Sequence, residues 1–150
     1  MSVSKPYRKE SSAEFLNKAI MLNEKIGTFV VKLPVKYKII YGDDMARTGL
    51  EALRLLQTGN GIYLSKDTPA ALFLERQSLF MKAKGYIYNI PTTFFLCTQI
   101  WINVEQPDNE KREKMINRSK IITDLCNECV NLISALILSD RKRYKEYQNS

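Results

Sequence analysis

Apolar residues return along the chain at helical intervals, and the clearest run spans residues 73–101. Phe73, Phe80, Ile87, Phe94 and Trp101 stand seven apart, with Arg76, Ala83, Ile90 and Cys97 at the intermediate positions. Alternating steps of three and four trace one seam on an α-helix. A second row, Leu72, Leu79, Tyr86 and Ile100, lies one residue back and widens that face. A helix apolar over so wide an arc is expected to be wrapped by other helices and by another subunit.

Three more helices follow from the same pattern. Phe15, Ala19, Leu22, Ile26, Phe29 and Leu33 predict helix one over about 12–32, with Ser11 or Ser12 as its cap and Glu14 near its start. Leu33-Pro34 then breaks the chain. Val35, Tyr37, Ile39 and Tyr41 alternate as a strand would, but Val35, Ile39, Gly42, Ala46, Gly49, Leu53 and Leu56 form an unbroken four-three seam. That seam predicts helix two over about 35–58, and its small central residues predict close approach of a neighbouring helix. Gly59-Asn60-Gly61 ends it. Asp67 or Thr68 followed by Pro69 starts helix three, over about 69–103, with a kink expected near Pro91. After the loop Gln106-Pro107-Asp108-Asn109, helix four covers about 109–138 on the seam Met115, Arg118, Ile122, Leu125, Cys129, Leu132 and Leu136. Four such seams with short links predict an all-α fold, an up-down-up-down four-helix bundle in one domain, 1–150. A loose basic arm, 1–11, and a basic tail, 140–150, that extends helix four or frays, are expected to flank it.

Composition bears mainly on partners. With 23 basic residues against 16 acidic ones the net charge is +7, which favours a polyanionic partner, nucleic acid first. Histidine is absent, which removes the commonest general base, metal ligand and proton shuttle. No run of about eighteen uncharged apolar residues occurs, so no membrane span is expected. The stretch MSVSKPYRKESS carries no apolar signal core, and the three cysteines read as reduced thiols of a cytoplasmic protein.

Candidate chemistry is sparse. Cys126 and Cys129 match a C-x-x-C pair, but Cys129 lies on a core seam and no second pair exists, so core thiols are the expectation. Asp43, Asp44 and Glu51 are better explained as a solvated face, or as partners of Lys36, Arg47 and Arg54, than as acid-base machinery. Gly59 and Gly61 read as a turn. Arg76, on the helix-three seam, has two readings: a buried arginine paired with a carboxylate, or a contact for an anionic ligand. No catalytic residue, metal or cofactor is expected.

The basic residues fall into three sets. Lys32, Lys36 and Lys38 surround the first corner, and Lys111, Arg112, Lys114, Arg118 and Lys120 lie early on helix four, diluted by Glu110 and Glu113. Arg141, Lys142, Arg143 and Lys145 form the tail beside Tyr144 and Tyr147. Phosphate contacts need only positive charge on a reachable face. The tail is the first choice, because its charge is concentrated and it is not expected to pack.

Leu33-Pro34, then Lys36 to Gly42, then ARTGLEALRLL from Ala46 to Leu56 resembles the four-helix-bundle proteins of the accessory variability determinant type. These accompany the reverse transcriptase of diversity-generating retroelements, and the same fold group includes proteins encoded in large-subunit rRNA intervening sequences. The resemblance implies a basic homopentamer that binds the reverse transcriptase and its template RNA or cDNA during mutagenic retrohoming, with no catalytic site of its own. Carried onto this chain, it points to Lys36, Lys38, Arg47, Arg54 and Arg76 as nucleic-acid contacts, beside Arg141, Lys142 and Arg143 of the tail. The alternative is a structural oligomer or protein-interaction module of the intervening-sequence group, whose basicity is incidental.

Overall fold

The computed structural model describes residues 14–149, and these are all-helical, with no strand among them. Helix α1 is Glu14–Val31. Helix α2 is a rod of three parts: one α-turn, Val35–Tyr37, a π-helical turn, Lys38–Gly42, and the α-helix Asp43–Asn60. Helix α3 is Ala70–Glu105 and α4 is Asn109–Gln148. Each of α1 and α3 packs against both α2 and α4. The expected cap at Ser11 or Ser12 and the basic arm 1–11 lie outside the described residues.

On α3 the pattern reads through almost unchanged. Phe73, Arg76, Phe80, Ala83, Ile87, Ile90, Phe94 and Cys97 are buried, and Trp101 is half-buried. The helix continues through Pro91, which lacks the amide that would close one backbone bond. Aromatic contacts tie the seam to α1: Phe15 meets Phe80 edge-on with ring centroids 5.7 Å apart, and Phe29 meets Phe94 at 4.6 Å.

The strand alternative over Val35–Tyr41 fails, and so does the first half of the helix-two seam. Val35 and Ile39 are 70% and 66% exposed, whereas Tyr37, Gly42, Met45, Gly49, Ala52, Leu56 and Gly59 are buried. The cause is the π turn, in which the Asp43 amide donates to the Lys38 carbonyl five residues back. One extra residue in that turn rotates everything before it relative to the core. Beyond it, the small residues act as the seam implied. Asn23 of α1 donates from Nδ2 to the Gly49 carbonyl at 3.0 Å, and a Cβ on Gly49 would lie 2.8 Å from the Asn23 Oδ1. At Gly59 a Cβ would lie 2.6 Å from the Phe80 ring. At Gly59 the Phe80 ring leaves no room for a methyl group, and at Gly49 a methyl group would displace the Asn23 amide that holds the Gly49 carbonyl.

On α4 the buried row is Met115, Ile122, Leu125, Cys126, Cys129, Ile133, Ile137 and Asp140. Arg118 is exposed, and Leu132 and Leu136 are half-buried. An uncoiled helix drifts against a strict seven-residue repeat, so the row moves from the expected Leu132 to Ile133. The helix also runs to Gln148, so of the two expected outcomes the basic segment from 140 onward extends the helix. Its Tyr144 ring stacks on Phe73 with centroids 4.2 Å apart and planes 8° apart. By length and composition α4 includes an 18-residue window apolar enough to cross a membrane, with mean hydropathy 1.6 and a third of that window buried. In this fold its apolar row packs against α1 and α3.

The second Arg76 reading, a free contact for an anion, is also overturned. Arg76 is 7% exposed and every nitrogen of its guanidinium is engaged. Nε donates to Asp140 Oδ2 at 2.7 Å and Nη2 to Oδ1 at 3.3 Å, while Nη1 donates to the Gly59 and Ile62 carbonyls. The planar group also lies over the Phe80 ring at 4.8 Å. One side chain thereby joins α2, the following loop, α3 and α4.

Removing one partner of such a pair leaves a dry, uncompensated charge. Asp140→Ala is expected to cost about 3–5 kcal/mol in urea unfolding, whereas Arg76→Met combined with Asp140→Leu is expected to lie within about 1 kcal/mol of the parent. Equal losses in the single and double variants would show that the ion pair is not the source of the stability.

Candidate nucleic-acid interface

The cations expected to meet phosphate divide by whether a carboxylate already holds them. Lys36 pairs with Glu105, whose Oε1 also accepts from the Tyr37 hydroxyl at 2.8 Å. Lys36 and Tyr37 both hold the Glu105 carboxyl below its ordinary value, and Glu105 in turn raises Lys36. Arg54 lies 3.9 Å from Glu51 on one exposed face of α2. Arg143 lies 3.6 Å from Asp140, the carboxylate that Arg76 already occupies. Arg141 faces the Gln77 side-chain amide, whose oxygen, once the amide is turned, accepts from Arg141 Nε and Nη2. Lys38, Arg47 and Lys142 have no ion pair among the described residues. The eight positions do not converge: Lys36 and Lys38 sit at the start of α2, Arg47 and Arg54 along it, Arg76 in the core, and Arg141, Lys142 and Arg143 near the end of α4.

A different set does converge. Between α1 and α4 lies a groove of about 160 Å³ lined by Lys25, Thr28, Phe29, Lys32, Arg118, Ile121 and Ile122. Between α3 and α4 lies another, about 230 Å³, lined by Trp101, Lys111, Lys114, Met115 and Arg118. Arg118 borders both, so five cations follow two adjoining grooves across α4. Lys25, Lys32, Lys111 and Arg118 have no ion pair among the described residues, and exposed Lys114 lies 3.4 Å from exposed Glu110. Exposed pairs of this kind are weak and yield readily to a stronger anion.

Local sequence explains the convergence. Lys25 lies on α1 and Lys32 in the turn just after its last residue, Val31, where the Lys32 amide still donates to the Phe29 carbonyl at 3.2 Å, while Lys111, Lys114 and Arg118 step three and four along α4. Asp108 opens α4 by accepting the Lys111 amide at 2.9 Å, which fixes where that face begins. These spacings were legible, but placing Arg118 on a core seam and counting the nearby glutamates hid them. The grooves add apolar floors, Phe29 and Ile122 in one and Met115 in the other, beside the exposed charges. This arrangement suits an anion with a flat apolar part rather than a bare phosphate.

The remaining candidates are structurally quiet. A third groove, of about 220 Å³, brings Asp44 beside Met45, Thr48, Tyr86, Asn89, Ile90 and Thr93, with no second carboxylate or cation on its lining. No group of three or more Cys, Asp or Glu suited to a metal occurs among the described residues. Cys97, Cys126 and Cys129 are free and buried. Burial pushes their thiols up to about 11, 12 and 11 respectively, so they are protonated and weakly nucleophilic at neutral pH.

Compared with protein-family models, curated proteins and solved structures, the chain matches none of them.

Thiols raised in the folded state stabilise it fully below their ordinary value of 9.0, and that contribution is lost as pH rises through 11–12. Unfolding midpoints are therefore expected to fall across that alkaline range, and less steeply in a Cys126→Ala variant. At pH 8 a maleimide is expected to label the folded protein at least tenfold more slowly than the urea-unfolded chain, as read by mass spectrometry. Equal rates would remove the cysteines from the core.

Proposed function

We propose that this protein is a non-catalytic nucleic-acid-binding subunit, an accessory of a diversity-generating retroelement that works in the cytoplasm with a reverse transcriptase and its template RNA or cDNA. The observation that carries the binding part is the meeting of Lys25, Lys32, Lys111, Lys114 and Arg118 on adjoining grooves, four of them without a carboxylate partner among the described residues. Uncompensated charge on a reachable face is what counterion release requires. The reverse-transcriptase partner rests on the resemblance carried by Leu33-Pro34, Lys36 to Gly42 and Ala46 to Leu56. Within that reading, Lys38, Arg47 and Lys142 remain outlying contacts, and Lys36, Arg54 and Arg143 contribute only by leaving their carboxylates.

An up-down-up-down bundle is the topology proposed for it. Contacts between helix ends support that order. Tyr37 early in α2 reaches Glu105 at the end of α3, and Gly59 late in α2 meets Arg76 early in α3. Phe73 and Arg76 of α3 meet Tyr144 and Asp140 of α4. Along α1 and α3 the order is parallel, Phe15 to Phe80 and Phe29 to Phe94.

Homo-oligomerisation is the second part of the proposal, and it draws on the outward side of α3. Ala71, Leu74, Ser78, Met81, Gly85, Tyr88, Thr92, Phe95, Gln99 and Ile102 step three and four for most of its length without one charge. All but half-buried Ile102 are exposed, Tyr88 by 70% and Phe95 by 63%. The row first expected to recruit a subunit, Leu72, Leu79, Tyr86 and Ile100, is largely half-buried within the chain. An uncharged heptad seam with small residues in alternate places suits a helix from another copy. The resemblance makes the assembly a homopentamer. This same seam favours the second reading, a structural oligomer of the intervening-sequence group in which the basic grooves have no nucleic-acid role.

Salt titration separates the two. Short RNA or DNA is expected to bind at low salt, with log K falling against log salt, and each cation replaced by Gln at Lys32, Lys111 or Arg118 lowering the slope by about 0.7. No binding at low salt would leave only the structural reading. Light scattering is expected to report a multiple of 17.4 kDa, and Tyr88→Glu with Phe95→Glu is expected to reduce it to one chain with unchanged helical circular dichroism. A parent protein that is monomeric at micromolar concentration would refute the seam as an interface.

A further inference from the structure

We propose that the Trp101 groove is a stacking site for an unpaired nucleobase, making the basic face selective for single strands over duplex; this rests on the nucleic-acid reading above. Trp101 occupies the last position of the core seam of α3, where its predecessors Phe73, Phe80, Ile87 and Phe94 are buried. It alone of that row is left half-open, and it lines a groove between α3 and α4. The other lining residues all come from α4: buried Met115 as floor, and Lys111, Lys114 and Arg118 as an exposed rim. A half-exposed indole beside three cations offers a ring to stack on and charges for the phosphate attached to it.

Size and charge narrow the ligand. At about 230 Å³ the groove lies below the range of about 300–1,000 Å³ that engulfs a whole drug-sized molecule, so one planar ring is the sensible occupant. Bases inside a duplex are already stacked and present only their phosphates. A duplex can use the rim but not the indole, whereas an unpaired strand uses both. RNA and DNA single strands share this chemistry. Arg118 continues the track into the Lys25–Lys32 groove, so a strand leaving the indole stays among cations.

Trp101 is the only tryptophan in the chain, which makes its fluorescence a direct report on the groove. The intact protein is titrated at low salt with a labelled short oligo-dT, an oligo-U and a duplex of equal length, following label anisotropy and indole emission together. Either single strand is expected to quench the indole, and the duplex to bind more weakly and leave emission unchanged. Trp101→Leu is expected to lose about tenfold in single-strand affinity and less than twofold for duplex, and Trp101→Phe to restore most of the loss. Quenching by one strand type alone would assign the site to RNA or to DNA. Single strands that bind by anisotropy while the parent's indole emission stays constant would overturn the stacking site and leave the basic face intact. Equal quenching by poly-glutamate would overturn it in favour of an acidic protein partner. Absence of any binding would remove the nucleic-acid reading itself.

Discussion

A guanidinium enclosed by apolar side chains is tolerable only when all its donors are taken, and that condition organises this molecule. Arg76 meets it by drawing Asp140 and the carbonyls of Gly59 and Ile62 to one point. Those partners come from the end of α2, the loop after it and the last turns of α4. Apolar packing is tolerant of small slides, but a bidentate pair with two carbonyl acceptors is not. The pair therefore sets which residues of α2, α3 and α4 stand level, and Tyr144 on Phe73 and Phe80 under Arg76 follow from that placement. It also explains why α4 stays helical and docked through a stretch as basic as Arg141 to Lys145.

The far end is fixed by gentler means and remains chemically open. There the Tyr37 hydroxyl and Lys36 share Glu105, joining the start of α2 to the end of α3 at the surface. Along α4, Arg118 and Asp140 are about 33 Å apart at roughly 1.5 Å per residue. Over that distance the way charge is held changes. Around Asp140 a carboxylate neutralises the buried arginine, and around Arg118 the cations outnumber their acids. Lys25, Lys32, Lys111 and Arg118, which have no ion pair among the described residues, are the cations that line the two grooves there.

Much of the fold was legible because α3 obeys one rule from end to end. Its inward seam needs no knowledge of any other helix. Helix two was misread where a π turn enters, since no local pattern in KIIYG announces an extra residue per turn and Val35 and Ile39 mimic a seam by chance. The site was less legible for a related reason. Whether a lysine is free depends on carboxylates that are distant in sequence, as Glu105 is from Lys36 and Asp140 from Arg76. Charge clustering along the chain pointed to the tail, where Asp140 and Gln77 already engage Arg143 and Arg141. The unpaired cations that line the grooves come from α1, the turn after it and α4, and they meet only after folding.

Helix α3 is the element through which these features depend on one another. Its inward seam supplies the core, its first turns supply Arg76, its last turns supply Trp101, and its outward seam is uncharged. Leu74, Tyr88 and Phe95 each follow a core residue and so stand about 100° round α3 from its core row, and none of them lines either groove beside α4. Assembly through α3 and anion binding through α1 and α4 are thus compatible on one chain. Copies joined in this way would repeat the basic grooves around the assembly, and linked sites bind one long strand more tightly than any single groove can. A strand long enough to reach several copies would gain most, which favours an extended template over a short ligand.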